Sequence, residues 1–461
     1  MAMDWVAGDL GAMNLGDKRL DKRAAIILKA LSGSPEKSIP SSHNGWGETK
    51  AAYRFLSNPK VTPQQIMSVH RDSTLKRMEE HETIIVAQDT SVLDYGRQYE
   101  KEGRGPTNHE NHHGVFLHPL VAFNDSGLCL GILGAKIWHR DLIGNRNKHL
   151  TLPIEEKESF RWLEGLREVN RLGEIFPDKK FIMVADREAD IYELLAEKRY
   201  ENVDYLIRGH FDRSLLSTDE KLWESISSQD PIATVSFEFK QRDKTSSPYR
   251  VVEQEIRVKR LTIIPSPSRG RRLNKKPVEL TVILATEINP RPNCAPLKWL
   301  LLTSINVDTA DQAANIIQYY LLRWKIEIYF KVLKSGCKVE ELQLSELETL
   351  ANCLSFYMII AWRVMYLVQL GRECGDMSCH VFFDEEEWHA AYIVKHRKQP
   401  PKEPPPLNAM IRIMAEFGGF LGRKSDGEPG PKHLWVGIQR TRDFAYAINL
   451  HREMLQADTC R

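Results

Sequence analysis

Two stretches of this 461-residue chain that are typical of buried strands each run directly into an aspartate. The apolar runs IIVAQ and FIMVA lead to Asp89 and Asp186, respectively. Functional groups in open α/β sheets commonly lie at the carboxyl ends of the strands. A single aspartate after a strand is more often a turn-forming or helix-capping residue. Two such aspartates together favour a polar site at one edge of a sheet, and we take both as candidate catalytic residues.

A third carboxylate, Glu327, lies on a helix predicted from about Thr309 to Lys334. At about 100° per residue, one stripe of this helix contains four residues with chemically useful side chains: Tyr320, Arg323, Glu327 and Lys334. Trp324 and Lys331 lie beside this stripe, and the apolar residues on the other side predict that the stripe faces outward. The alternative is a solvated face with an Arg323–Glu327 ion pair, worth only about 0.2–0.5 kcal/mol.

The residue types in these three segments suit phosphoryl transfer on a nucleic acid. Carboxylates are the hard oxygen ligands that Mg²⁺ prefers, and two such ions about 3.5–4 Å apart can activate the attacking oxygen and stabilise the leaving one. We therefore predict that Asp89, Asp186 and Glu327 hold two Mg²⁺ ions, for which Mn²⁺ would substitute. Neighbouring cations would hold the phosphodiester, and an aromatic ring can stack on an unpaired base for about 1–3 kcal/mol.

The order of elements in the middle of the chain predicts how the carboxylates are positioned. Strand patterns at 83–91, 114–123 and 128–138 follow one another, which predicts an antiparallel meander. Two later strand patterns, at 181–190 and 203–209, are separated by helical segments and would pair in parallel. This order fits an α/β fold with a ribonuclease-H-like core.

The flanking regions have other compositions. Residues 1–75 show helical periodicity, with a basic polar side on the helix at 18–31, and helices flank a loop near the C-terminus after a proline-dense linker at 395–406. Alternating runs with many Lys and Arg residues predict a β-rich insertion at about 232–295, although a solvated edge would show the same charges. We therefore expect a helical N-terminal DNA-binding domain (1–75), a catalytic domain with the β-rich insertion (76–370) and a helical C-terminal dimerisation domain (371–461).

The helix motif resembles that of the DDE transposases of the insertion-sequence-four family, which includes the transposase of transposon five. The family's spacing of Tyr, two residues, Arg, three residues, Glu, six residues and Lys is met by Tyr320, Arg323, Glu327 and Lys334. The segments QDTSVLDY, ADREADIY, PLKWLLLTS and AAYRFLSNP also resemble the family, so the likeness spans nearly the whole chain. Near the C-terminus only FGGFLGRK and HLW match.

The resemblance implies cut-and-paste transposition, in which hydrolytic nicking, hairpin formation and hairpin opening precede strand transfer to target DNA. It implies that Arg208, with Tyr320, Arg323 and Lys334, grips the phosphates of the cleaved end, and that Trp299 assists a flipped base. The implied partners are transposon-end DNA, target DNA and a second copy of the chain in a synaptic complex. Two alternatives stay open: a ribonuclease-H-like structure-specific nuclease, and a catalytically idle DNA-binding regulator of transposition.

The composition bears on whether the chain is globular, membrane-spanning, secreted or metal-binding through cysteine or histidine. A hydrophobic fraction of 42% with 27% charged residues is typical of a globular protein, and the net charge of +2 does not by itself indicate a nucleic-acid binder. The apolar stretch at 353–362 is far shorter than the roughly 20 residues of a membrane span, and no secretory signal pattern opens the chain. We expect a bacterial cytoplasmic protein that associates with the nucleoid when bound to DNA. The seven cysteines form no CxxC pair, and the histidines at 109, 112, 113 and 118 make only a weak metal-site candidate.

Overall fold

The computed structural model of the protein describes residues 5–43, 45–96, 103–109, 111–140, 152–216, 218–240, 249–265, 276–291 and 295–459. Several of the basic residues on which the predicted insertion was based, in the segments 241–248 and 266–275, lie outside the described residues. The rest of the insertion and all of the predicted site residues lie within them.

A mixed sheet forms the centre of the molecule and, in the part of the chain described, contains 11 strands in the order β2-β4-β1-β6-β7-β11-β10-β9-β8, with β3 and β5 also paired to β4. The strands are β1 (Thr83–Gln88), β2 (Ser91–Asp94), β3 (Gly105–Pro106), β4 (His113–Asn124), β5 (Cys129–Trp138), β6 (Lys180–Ala185), β7 (Val203–Arg208), β8 (Ala233–Lys240), β9 (Tyr249–Ile263), β10 (Val278–Ile288) and β11 (Lys298–Thr303).

Helices cover the sheet and form both ends of the chain. They are α1 (Trp5–Leu10), α2 (Lys18–Gly33), α3 (Ile39–Ser42), α4 (Gly45–Leu56), α5 (Pro63–Met78), α6 (Phe160–Ile175), α7 (Tyr192–Leu195), α8 (Leu222–Ser227), α9 (Ala310–Leu322), α10 (Trp324–Lys331), α11 (Leu347–Glu373), α12 (Glu385–His396), α13 (Leu407–Phe417) and α14 (Pro431–Thr459).

The pairing of the central strands confirms the predicted ribonuclease-H-like core. β4 pairs antiparallel with β1 and β5, whereas β6 pairs parallel with both β1 and β7. Successive side chains of β1 pack into two different hydrophobic cores, one on each face of the sheet, because side chains alternate across a strand. Ile85 and Ala87 pack on the side of α9 and α11, while Ile84 and Val86 pack on the side of Trp162 in α6. Burial on both faces explains why the strand reads as an unbroken apolar run.

The inserted strands extend the same sheet. β11 pairs antiparallel with β7, with Leu302 opposite Ile207, and β10, β9 and β8 follow in an antiparallel series. The insertion is therefore not a detached module, because β11, which begins at Lys298, pairs with the insertion on one side and with the ribonuclease-H-like core on the other. This arrangement places Trp299 beside the helix that carries Glu327.

Helix α11 is the core helix of the protein. By length and composition it could cross a membrane, but 89% of its most apolar window is buried inside the protein. It packs against α2, α4 and α5 of the N-terminal region, against β5, and against α13 and α14. Its apolarity is accounted for by these contacts.

The helix predicted from Thr309 to Lys334 is present in three consecutive pieces. The side chain of Thr309 caps α9 by accepting a hydrogen bond from the Gln312 backbone N–H. The Gln312 side chain in turn accepts a hydrogen bond from the Thr309 backbone N–H, which completes a capping box. Arg323 keeps right-handed helical angles between α9 and α10, and a π-helical turn at Val332–Gly336 ends the run. The stripe that contains Glu327 thus lies on one nearly continuous helical segment.

Candidate active site

Asp89 lies in a break between two strands that share a partner. β1 and β2 both pair with β4, with Gln88 opposite Leu120 and Ser91 opposite Leu117. The ladder is interrupted between them, at Asp89 and the residue after it. The Asp89 side chain is 19% exposed, and its Oδ1 accepts a hydrogen bond from the backbone N–H of the next residue at 2.7 Å. The strand break therefore turns this carboxylate to the edge of the sheet.

Asp186 lies at the same edge, one strand away. Because β6 runs parallel to β1, with Val184 opposite Ala87, both strands deliver the aspartates that follow them to the same side. Asp186 caps the short turn Arg187–Ala189, and its Oδ1 accepts from the Glu188 backbone N–H at 2.8 Å. The capping role that the sequence left open is thus real for Asp186, and it coexists with a place beside Asp89.

Arg323 connects the third carboxylate to the first. Its Nη1 lies 3.1 Å from Asp89 Oδ2 and its Nη2 lies 3.0 Å from Glu327 Oε1. The Arg323 side chain is only 8% exposed, whereas that of Glu327 is 51% exposed. The Arg323–Glu327 pair that could have been a solvated surface contact is instead anchored at the sheet edge by Asp89.

The predicted orientation of the stripe is wrong in part. As whole residues, Tyr320 and Arg323 are 1% and 7% exposed, whereas Ile328, one of the apolar residues on the side expected to pack inward, is 43% exposed. The stripe begins against the edge of the sheet because Arg323 finds its carboxylate partner there and Tyr320 packs on Trp299. Only its later part, from Glu327 onward, is open to solvent.

The electrostatics of the site favour an added cation. Burial, together with the negative charge of Asp186, raises the pKa of Asp89 to about 7 against the opposing effect of Arg323. Across the described residues, no group of three or more histidine, cysteine, aspartate or glutamate side chains is already gathered around one metal position. The residues nevertheless fit a divalent metal, since the donors are carboxylate oxygens and one guanidinium does not neutralise them.

The cations and aromatics predicted to bind DNA fall into two groups. Arg208 ends β7, and its positive charge acts on the phenol of Tyr320, whose pKa burial raises. Trp299 stacks on Phe237 with ring centroids 5.3 Å apart and meets Trp324 edge-on at 5.8 Å. Arg208, Trp299, Tyr320 and Trp324 therefore form one group of neighbouring side chains. With only 1% of its surface exposed, Trp299 presents no free ring face to a base in this arrangement.

The two lysines of the stripe lie nearer the C-terminal end of this helical segment. Lys331 is exposed on α10. Lys334 donates to the backbone carbonyl of Val92 in β2 and lies 3.4 Å from Glu340. The structure thus joins Lys334 to the strand after Asp89, and it does not bring Lys334 into contact with the three carboxylates.

A supporting residue was missed by the sequence reasoning. His118, considered there only as part of a histidine group, separates from His112, whose Nδ1 lies 2.6 Å from Asp94 Oδ2. His118 instead lies behind the Asp89 break, 2.9 Å from both Gln88 Oε1 and Thr90 Oγ1. Burial, aided by the charge of Arg161, lowers the pKa of His118 to about 3. The His118 ring is therefore neutral. In the sequence, its position in the otherwise apolar strand segment HPLV was the one signal that a buried polar side chain lies here.

A second missed feature is an exposed stripe on α4. Trp46, Lys50 and Arg54 are spaced four residues apart, and all three are exposed, with Trp46 at 76%. By contrast, two of the residues on the basic polar side of α2 are engaged in ion pairs, Arg19 with Asp17 and Arg23 with Glu48. The fourfold spacing in the sequence could have revealed the α4 stripe.

Comparison with known families gives three matches that follow one another along the chain. Residues 2–61 match the model described as Transposase DNA-binding, residues 147–362 match Transposase DDE domain, and residues 359–455 match Transposase Tn5 dimerisation domain. The DDE match contains Asp186 and Glu327, and Asp89 lies ahead of it. The three descriptions agree with the resemblance carried by the helix motif and are consistent with the insertion-sequence-four family, which none of them names.

Proposed function

The chain belongs to the Tn5-like DDE transposases, and from that premise we propose that it moves DNA by a cut-and-paste reaction. It binds the two ends of its element, nicks them by metal-dependent hydrolysis, releases them through a hairpin intermediate and joins them to target DNA. Its substrates are then transposon-end DNA and target DNA, and the working unit is a homodimer in a synaptic complex. Such a protein acts in the bacterial cytoplasm, on the nucleoid.

The observation that carries this proposal is that the three carboxylates, Asp89, Asp186 and Glu327, are close enough for the charges of Asp186 and Glu327 to act on Asp89. Each comes from a different element, and Arg323 touches two of them. Bound Mg²⁺ or Mn²⁺ would supply charge for the attacking and leaving oxygens of the phosphodiester. Such a cation would stabilise the ionised form of Asp89, whose pKa is raised.

The residues around the carboxylates support a role in holding the cleaved DNA end. The charges of Asp186 and Arg208 both act on Tyr320, and the Tyr320 hydroxyl and the Arg208 guanidinium can donate to phosphate oxygens. Trp299 and Trp324 supply aromatic surface for an unpaired base, which Trp299 could offer only after its stack with Phe237 opens. The full proposed set of DNA contacts is Arg208, Trp299, Tyr320, Arg323, Trp324, Lys331 and Lys334.

End recognition is best supported at α4. This helix lies within the region that matches a transposase DNA-binding model. Its exposed Trp46, Lys50 and Arg54 combine two cations with one aromatic ring on a single helix face, the composition expected for a contact with a DNA backbone and groove. We assign this face to the ends of the element.

The dimer is supported by the second half of α14, within the match to the dimerisation domain. Tyr446, Leu450 and Met454 recur every four residues and are 65%, 46% and 59% exposed. An exposed apolar stripe on one face of a long helix is suited to pack against another protein surface. A second copy of α14 is the partner that closes a twofold interface with the same residues.

The test is a transposition assay with purified components. The full chain is incubated with Mg²⁺, DNA carrying the inverted ends that flank its gene, and a target plasmid. Integration products are expected, and Glu327→Ala should give none. Hairpins or nicks without joining would favour the structure-specific nuclease. Stable end binding without any cleavage would favour the idle regulator and overturn the enzymatic proposal.

A further inference from the structure

A chain of hydrogen bonds runs behind Asp89 and engages the residues on both sides of it. Arg161 of α6 donates from Nε to Thr90 Oγ1 at 2.9 Å, and Thr90 Oγ1 lies 2.9 Å from His118 Nδ1. On the other side of the break, His118 Nε2 lies 2.9 Å from Gln88 Oε1. The single residue between Gln88 and Thr90 is the proposed metal ligand.

The groups at the two ends of this series of hydrogen bonds, Gln88 and Arg161, fix which atom donates and which accepts in every bond between them. Gln88 Nε2 donates to the Trp162 carbonyl at 3.3 Å, so Oε1 is the amide atom that faces His118 and can only accept. His118 Nε2 therefore carries the proton, and the neutral ring accepts at Nδ1. The Thr90 hydroxyl donates to that nitrogen and receives the bond from Arg161. Each donor faces an acceptor, as a buried polar network requires.

Arg161 also reaches the turn that follows the second aspartate. Its Nη2 donates to Glu188 Oε2 at 2.8 Å, and the Glu188 backbone N–H donates to Asp186 Oδ1. Its Nη1 is held by the Glu158 carbonyl at 2.8 Å. The side chain is 9% exposed, so its donors are committed to these partners and are shielded from water. One guanidinium thus bridges the turns that bear Asp89 and Asp186.

The surrounding packing holds this network tightly. Trp162 is fully buried and meets the His118 ring edge-on, with centroids 4.7 Å apart. Gly165, one turn later on α6, leaves the room that Gln88 occupies, because a Cβ there would collide with Gln88 Oε1. Helix α6 is therefore fitted to the strand break through polar contacts as well as apolar ones.

We propose that Arg161 and His118 are positioning residues that fix Asp89 and Asp186 at the separation needed to share metal ions. This inference rests on the proposed metal-dependent function. Neither residue touches a reacting atom: His118 orients the backbone at Asp89 through Gln88 and Thr90, and Arg161 ties that backbone to the Asp186 turn. Loss of such outer contacts typically lowers metal affinity by about 10–100-fold.

The deciding experiment measures Mn²⁺ binding to the full chain, without DNA, from the loss of the free-ion signal in electron paramagnetic resonance. Thr90→Val keeps the side-chain shape and removes the hydroxyl that joins Arg161 to His118, and it should weaken Mn²⁺ binding by roughly 10-fold or more. Thr90→Ser keeps the hydroxyl and should bind close to the parent value. The thermal midpoint and binding of end DNA should be nearly the same in all three proteins.

Arg161→Gln provides an independent variant, and Arg167→Gln is its matched control. Arg167 lies on the same helix and pairs with Glu197 at 2.7 Å, away from the aspartates. Weaker Mn²⁺ binding is expected only for Arg161→Gln. Parent-like Mn²⁺ binding in both Thr90→Val and Arg161→Gln would overturn the positioning role, as would equal losses in Arg161→Gln and Arg167→Gln. A parent chain that neither binds Mn²⁺ nor cleaves DNA would instead overturn the proposed function itself.

Discussion

The Arg323 guanidinium lies 3.1 Å from the Asp89 carboxylate, yet it does not bring the pKa of that carboxylate down to its ordinary value. Burial of Asp89 and the nearby charge of Asp186 outweigh the single positive charge. The geometry therefore describes a site with more negative charge than its own residues compensate. This imbalance has a measurable consequence for stability.

Asp89→Asn should stabilise the protein at pH 8 and change it little at pH 4, when both are measured in EDTA. The pKa of Asp89 is raised from 3.8 to about 7 on folding, so the folded state holds its proton more tightly. Stability from this group is complete below about pH 4 and is lost as pH rises toward 7. Asparagine carries no charge to lose. Thermal midpoints by scanning fluorimetry give the comparison, with Asp178→Asn, an exposed aspartate, as control. A variant that is less stable at both pH values would contradict the proposed imbalance.

Glu327→Ala and Asp186→Ala should each abolish cleavage of end DNA while binding of that DNA survives. The carboxylates are proposed to serve metal ions, and they add negative charge that repels phosphate rather than attracting it. Gel-shift binding and cleavage of the same labelled end give both quantities. Cleavage retained in either variant would remove that residue from the catalytic set.

The central strands were predictable because their signal is local. β1 and β6 are buried on both faces, so their apolar runs stand out and end visibly at Asp89 and Asp186. The placement of β11 beside β7 was not predictable, since it depends on pairing between segments about a hundred residues apart. The outward orientation expected for Tyr320 failed for the same reason: its neighbour Trp299 reaches it only through that pairing.

The supporting residues of the site were invisible for a related reason. His118 matters only because β4 pairs with both β1 and β2, which sets it against the gap between them. Arg161 is one of many arginines on amphipathic helices, and only the packing of α6 brings it to Thr90. Local patterns thus identified the carboxylates, whereas the groups that hold them in place emerge from long-range register.

The α4 stripe should respond to substitution in two different ways. Lys50→Ala should weaken binding of end DNA and lower the slope of log affinity against log salt by about 1, as expected for one lost phosphate contact. Trp46→Ala should weaken binding by roughly fivefold, about 1 kcal/mol, without changing the slope, because it removes contact area and no charge. Fluorescence anisotropy across a salt series measures both. Lys424→Ala, on an exposed loop near the C-terminus, is the control. An unchanged slope in Lys50→Ala would mean that the transposon-end DNA does not bind at the α4 stripe.

Lys334→Ala should also lower the salt slope by about 1 and weaken end binding. Lys334 is held by the Val92 carbonyl and Glu340, so contact with a phosphate requires it to exchange these partners. Lys338→Ala is the matched control, because Lys338 also faces a glutamate, Glu341 at 3.7 Å, and is not among the proposed contacts. An unchanged slope with a lower thermal midpoint would assign Lys334 to anchoring the π-helical turn on β2.

Gly165→Ala offers a test in which helix propensity and site geometry oppose each other. In an exposed helix interior, alanine in place of glycine is favourable by about 1 kcal/mol. Here the new Cβ would collide with Gln88 Oε1, so Gln88 must shift and the bond to His118 must lengthen or break. We expect weaker Mn²⁺ binding and slower cleavage of end DNA, with end binding retained. Gly8→Ala is the control, because its Cβ meets nothing within 4 Å, and it should leave Mn²⁺ binding and cleavage unchanged. If Gly165→Ala raised the thermal midpoint with full Mn²⁺ binding and cleavage, Gln88 would not be needed to position Asp89.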